Sequence, residues 1–251
     1  MRGPLLRYLA GACALGIILW TTVAWGQTVS DISQANTYYN QNQFKEAAET
    51  YERGIAEGGI NGHLYYNLGN AYFRTGNLPL AILNYAKAQH YLPRDEDVSA
   101  NLEYALRQTQ DQLDGRLHPA GESFLFWSGN FNLKEHWAAL LWINLAFWIF
   151  MAVRLHQKSQ AGSSVRNVLL AMLILALVST GFRWSQETRS PFGVIVPKQI
   201  DVHSGWKATT AALFQLHQGT LVTITREKEN WVELELPDGK KGWIPPSDII
   251  R

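Results

Sequence analysis

Residues 62–95 read GHLYYNLGNAYFRTGNLPLAILNYAKAQHYLPRD, and the spacing of small and apolar residues in this stretch decides the fold. Tyr65, Leu68, Gly69 and Tyr72 recur at i, i+3, i+4 and i+7, the period of one face of a helix. Gly76-Asn77 then interrupts the pattern, and Ala81, Tyr85 and Ala88 continue it on a second helix that ends before Pro93. Two helices folded back as an antiparallel hairpin need this arrangement. Gly69 and Ala81 are small where the backbones close up, Ala88 is small where a further unit stacks, and the tyrosines with Leu68 fill the space between.

Displaced by 34 residues, the pattern falls on 28–61, with Ala35, Tyr38, Ala47 and Tyr51 at matching positions, Gln34 in the place of Leu68 and Gly54 in the place of Ala88. A further displacement puts Leu102 and Leu106 on a third first-helix, with Glu103 replacing the small residue, so 96–113 is expected to be a solvated capping helix. These positions resemble tetratricopeptide repeats, 34-residue helix-turn-helix units, over residues 28–113. The resemblance implies a concave groove lined by the first helix of each pair. Asn36 and Asn70 are equivalent on that face, as are Asn67 and Asn101, with Tyr39, Tyr66, Phe73 and Arg74 beside them. A ladder of asparagine amides pairs with an extended peptide backbone while the aromatics cover its side chains. The competing reading is ordinary solvated helix surface. The lysines that family members use to clamp a terminal carboxylate are absent from the matching positions, so recognition of a peptide C-terminus is not expected.

Apolar residues elsewhere crowd into three stretches. Residues 1–26 carry Arg2 and Arg7, an apolar core from Leu9 to Val23 and Ala24-Trp25-Gly26, the layout of a secretory signal peptide cleaved before Gln27; an uncleaved anchor is the alternative. Residues 137–153 and 167–184 are expected to be two transmembrane helices. The loop between them, 154–166, has Arg154, Lys158 and Arg166 and no acidic residue, which places it in the cytoplasm and both flanking domains outside. Asn144, Ser179 and Thr180 are polar positions suited to bonding between the helices or back to helix carbonyls. The linker 114–136 mixes glycines and Pro119 with Phe124, Phe126, Trp127 and Phe131, an aromatic segment that suits the outer interface or a seat on the repeats.

From Gly193 the period changes from helical to alternating. Leu221, Val222 and Ile224 mark one strand, Val232, Leu234 and Leu236 another, with turns at Asn230 and Asp238-Gly239. Ile200–Gly205, Leu216–Thr220, Trp231 and Asp238–Ile244 resemble the bacterial SH3-like family, which implies a small all-β barrel over 193–251. Gly219 and Gly242 are expected at tight turns, Trp231 in the core, and Trp243 either in the core or as the wall of an SH3-like ligand groove.

The fold class expected is therefore multidomain, with all-α repeats, a transmembrane helical hairpin and the β-barrel. A formal charge of +1 without a basic run speaks against nucleic acid as a partner. Seven scattered histidines and a single cysteine, Cys13, supply no metal-ligand spacing, and no catalytic or cofactor motif appears. No metal, cofactor or enzyme activity is expected. The order of segments resembles the BatE-type proteins of bacterial aerotolerance (Bat) operons. That resemblance implies a periplasmic scaffold or adaptor in the inner membrane, in contact with membrane lipid, with von Willebrand A domain membrane proteins and a MoxR-type ATPase complex as partners. The alternative is a tether that binds peptidoglycan through the SH3-like domain.

Overall fold

The computed structural model describes residues 32–58, 61–111, 130–157, 163–189, 192–207 and 209–251. The expected signal peptide with Cys13, the middle of the loop expected to be cytoplasmic and most of the linker, including Phe124, Phe126 and Trp127, lie outside the described residues. The chain divides into two compact units after Ala88.

The first unit begins with α1 (32–40), α2 (Phe44–Ala56) and α3 (Gly62–Arg74), followed by most of α4 (Leu78–Tyr91). Each hairpin turn contains one residue in the left-handed region, Asn42 at φ 61 and Gly76 at φ 77, one repeat apart. Asparagine and glycine tolerate that conformation best, so the turn is repeated by different chemistry at the same place. Asn61 caps α3 by accepting from the Leu64 N–H at 2.8 Å through its side chain, and Asn77 Oδ1 accepts from the Leu80 N–H at 3.4 Å at the start of α4. Ala35, Ala47, Ala48, Tyr51, Leu64, Leu68 and Ala71 form one buried cluster, with Ile32, Tyr38 and Tyr72 packed on it. Gln34, in the place of Leu68, donates to the Tyr38 hydroxyl at 3.0 Å. Gly69 is small for a reason visible in the packing: a Cβ there would lie 2.7 Å from Cδ1 and 2.8 Å from Cε1 of Tyr85.

The second unit opens with α5 (Glu96–Leu106), capped by Asp95, which accepts from the Val98 N–H at 3.1 Å. The long helices α6 (Leu133–Gln157) and α7 (Ser163–Arg189) follow. Leu133–Val153 and Ser164–Ser185 are long and apolar enough to cross a membrane, and Leu141, Trp142, Trp148, Val168 and Leu177 among them point outward from the protein. Asn132 and Glu135 cap α6 reciprocally: the Asn132 side chain accepts from the Glu135 N–H at 2.9 Å, and the Glu135 carboxylate accepts from the Asn132 N–H at 2.8 Å. Asn132 also donates to the Tyr91 carbonyl at 3.2 Å, Arg94 pairs with Glu135, and the Arg94 guanidinium lies 4.8 Å from the Phe131 ring centre. The end of the linker is thus seated on the connection after α4. Between α6 and α7, the Ser179 hydroxyl lies 3.5 Å from His136 Nε2, and Thr180 bonds back to the Ala176 carbonyl at 2.8 Å. Asn144 is instead exposed.

The C-terminal sheet has seven antiparallel strands, β1 (Phe192–Ile195), β2 (Gln199–His203), β3 (Ala212–His217), β4 (Leu221–Lys228), β5 (Trp231–Glu235), β6 (Lys241–Ile244) and β7 (Ile249–Ile250). Their order is β3-β2-β6-β5-β4-β1-β7. Burial alternates along β2 and β5, and Ile195, Val202, Leu216, Val222, Ile224, Val232, Leu234, Leu236, Ile244 and Ile249 form a single core enclosed by the sheet. Gly219, at φ 87, does occupy a tight turn. Gly242 does not. It lies within β6, where a Cβ would come 2.3 Å from Val202 Cγ1 and 3.0 Å from the His203 carbonyl oxygen, so its role is the close approach of β2 and β6.

Gly69→Ala is expected to destabilise the repeats by about 1–3 kcal/mol through overpacking against Tyr85, read as a lowered helical melting transition in circular dichroism.

Candidate functional site

Four of the asparagine-face residues meet in one place. Asn36, Tyr39, Asn67 and Asn70 line an open pocket of ≈ 220 Å³, joined by Asn40 and Tyr51. Every one of the six lining side chains is an amide or a phenol. α1 supplies Asn36, Tyr39 and Asn40, α2 supplies Tyr51, and α3 supplies Asn67 and Asn70.

Two of the amides are oriented by the same device. Tyr51 donates its hydroxyl to Asn36 Oδ1 at 2.5 Å, and Tyr85 donates to Asn70 Oδ1 at 2.7 Å. Both pairs span 15 residues, and each residue of one pair stands 34 positions from its counterpart in the other. With the carbonyl end engaged by a phenol, the NH2 end of each amide turns the opposite way, so both asparagines are set as donors. Tyr51 is 2% exposed and Tyr85 also 2%. The Tyr51 phenol is pushed up to about 12, first by burial and then by the neighbouring Tyr39, with the bond to Asn67 acting in the opposite direction. Burial likewise raises the Tyr85 phenol. Both remain protonated donors across the whole neutral range.

The other expected residues are placed around this pocket or away from it. Tyr66 packs tilted against Tyr85 with ring centres 6.0 Å apart. The Arg74 guanidinium sits 4.0 Å from the centre of the Phe44 ring, and Phe44 meets Tyr39 edge-on at 5.2 Å. Arg74 is therefore partnered by an aromatic face. Phe73 lies half-buried on α3, and Asn101 lies on α5, in the second unit. Asn40 and Tyr51 were not among the expected site residues. Tyr51 was legible as a core position, and the recurrence of Asn36–Tyr51 as Asn70–Tyr85 was the available signal.

In the SH3-like domain, Trp243 is 8% exposed and so is more core than groove wall. The outward ring is Trp206, 37% exposed, which meets Trp243 edge-on at 5.9 Å and carries the Lys228 ammonium 3.5 Å above its centre. Trp231 is half-buried and meets His203 edge-on at 5.4 Å. Among the described residues, no group of three or more His, Cys, Asp or Glu side chains is placed to hold a metal ion.

Residues 32–96 match the family model described as a tetratricopeptide repeat, and residues 200–249 match that described as a bacterial SH3 domain. Both are modules of protein–protein interaction. No curated protein matches the chain. Among solved structures, the chain is similar to the second TPR domain of the human RPAP3 protein, determined in complex with the HSP70 peptide SGPTIEEVD. Identity is 18%, with 61% of this chain and 98% of that chain covered at a TM-score of 0.32.

Because the folded-state value of Tyr51 lies above the ordinary phenol value of 10.0, its contribution to stability is complete below about pH 10 and is lost as the pH rises towards about 12. Tyr51→Phe is expected to cost about 0.5–1.5 kcal/mol at pH 7. It should also reduce the alkaline loss of stability between those two values, measured by denaturant titration at each pH.

Proposed function

We propose that this chain is a membrane-anchored adaptor whose repeat groove holds an extended segment of a partner protein. The observation that carries the reading is the pair of phenol-oriented asparagines, Asn36 and Asn70, lining one pocket with Asn67 and Tyr39. Fixed amide donors suit the carbonyl oxygens of an extended backbone, and aromatic rings at the rim suit its side chains. Tyr66, Phe73 and Arg74 extend the same face.

Anchoring is through α6 and α7, which have the length and composition of a membrane-crossing pair. The Trp137 and Trp184 rings lie 6.4 Å apart near one end of that pair, as an interfacial aromatic belt would. The basic loop between the helices favours a cytoplasmic location for it, with the repeats and the SH3-like domain outside. Residues 1–26 then act as the export signal. By resemblance to BatE-type proteins, the partners are von Willebrand A domain membrane proteins and a MoxR-type ATPase complex.

A second reading rests on Trp206. An exposed indole braced by Trp243, with the Lys228 ammonium over its centre, is an aromatic and cationic surface suited to the sugars and carboxylates of peptidoglycan, which favours a peptidoglycan tether. Sedimentation with purified cell wall, lost in Trp206→Ala, would favour it over the adaptor.

The adaptor is tested with a photoreactive benzoylphenylalanine in place of Tyr66 in the full-length membrane protein. Cross-linking to a specific partner is expected, and Asn67→Ala with Asn70→Ala should reduce it about tenfold or more, in line with the loss of two hydrogen bonds to the ligand, at a temperature where the helical signal shows the repeats folded. The orphaned Tyr85 hydroxyl should lower their melting transition, and Tyr85→Phe in the same background should restore part of it. Undiminished cross-linking in the double variant refutes the asparagine groove. Reporters fused after Gln110, within 157–164 and after Arg251 are expected to read outside, inside and outside.

A further inference from the structure

The turn between β3 and β4 gathers three polar donors around one carboxylate. Asp111, in the tail that follows α5, accepts from the His217 backbone N–H at 2.6 Å through Oδ2 and lies 2.7 Å from His217 Nδ1 through Oδ1. The Thr220 hydroxyl lies 2.6 Å from the same Oδ2 and 2.7 Å from the His217 carbonyl, so its one proton is shared between them. The carboxylate and the imidazole are only 16% and 19% exposed, and Thr220 is 1% exposed.

The receiving turn is built by the barrel itself. Gly219, at φ 87, donates its N–H to the Ile195 carbonyl at 2.9 Å, the Thr220 N–H reaches the His217 carbonyl at 3.2 Å, and the Gln218 side chain donates to the Val196 carbonyl at 3.0 Å. The presenting tail is shaped as well: the buried Thr109 donates to the Leu106 carbonyl at 2.7 Å and contacts the Asp111 carbonyl at 3.3 Å.

We infer that the β3–β4 turn of the SH3-like domain is a carboxylate-binding notch, and that Asp111 of the same chain is its resident ligand. Three converging donors suit an anion, which offers acceptors in every direction needed; an amide would turn an NH2 group against one of them. Burial works against the Asp111 charge, yet the bonds from Thr220 and His217 outweigh it and hold the carboxyl below its ordinary range. The ligand and the notch stand 106 residues apart, on either side of α6 and α7. The clasp therefore fastens the barrel to the tail of α5 and requires both to lie on one face of any membrane that the helices cross as a pair.

The test uses the full-length protein in detergent with Cys13→Ser, a protease site placed within 158–162, and cysteines at Gln110 and Gln218, two exposed neighbours of the clasp. After treatment with a short bis-maleimide and cleavage, the two halves should remain joined on a denaturing gel. Adding Asp111→Ala should slow bridging by about tenfold or more, and should speed exchange of the His217 amide hydrogen by a similar factor, the scale of losing bonds to a charged group. Placing the second cysteine at Glu229, in the turn just past the far end of the eight-residue β4, should give little bridging. Tryptophan fluorescence confirms that the barrel stays folded in each variant. Equal bridging with and without Asp111, or an unchanged His217 exchange rate in a folded barrel, overturns the notch.

Discussion

The packing of Tyr85 against Gly69, with its hydroxyl on Asn70, is the constraint on which the repeat unit depends. The ring occupies the volume that any side chain at position 69 would need, so α3 and α4 close to a distance set by an aromatic thickness. The hydroxyl then has to find a partner inside the closed hairpin, and the asparagine one residue beyond the glycine provides it. Packing and polar chemistry are thus served by one side chain. Tyr51 repeats the polar half of this arrangement on Asn36, one repeat earlier in the chain.

Much of this was legible in the sequence because it depends on local period. The 34-residue displacement, the two membrane-length helices and the alternating strands each leave a pattern in consecutive residues. The turn glycine at 76 could be recognised directly, whereas Asn42 at the equivalent place could be found only by register. What was not legible depends on contacts remote in sequence. Gly242 resembles a turn glycine beside Lys240 and Lys241, but the atoms that exclude a side chain there belong to Val202 and His203. Trp206 offered no pattern, and its exposure follows from the packing of Trp243 beneath it. The contact of Asp111 with His217 could not be anticipated, since each residue alone looks like ordinary polar surface.

Beside the apolar core of its barrel, the second unit has polar contacts at the boundaries of its helices. Asn132 caps α6 and at the same time binds the Tyr91 carbonyl, so the start of a membrane-length helix is tied to the end of α4 by the residue that also terminates its own orphan N–H groups. Arg94 reinforces the same joint from above, through Glu135 and the Phe131 ring.

The neutrality of the pocket walls carries a consequence of its own. Amides and phenols attract a ligand through short directional bonds and contact area, neither of which decays with the Debye length. A groove lined by lysines loses affinity as the surrounding medium becomes more saline, and gains it on dilution. Walls made of Asn36, Asn40, Asn67, Asn70, Tyr39 and Tyr51 are largely indifferent to that change. Any ligand held by such walls would keep much the same affinity in dilute and in concentrated salt, where a charged site would fill or empty.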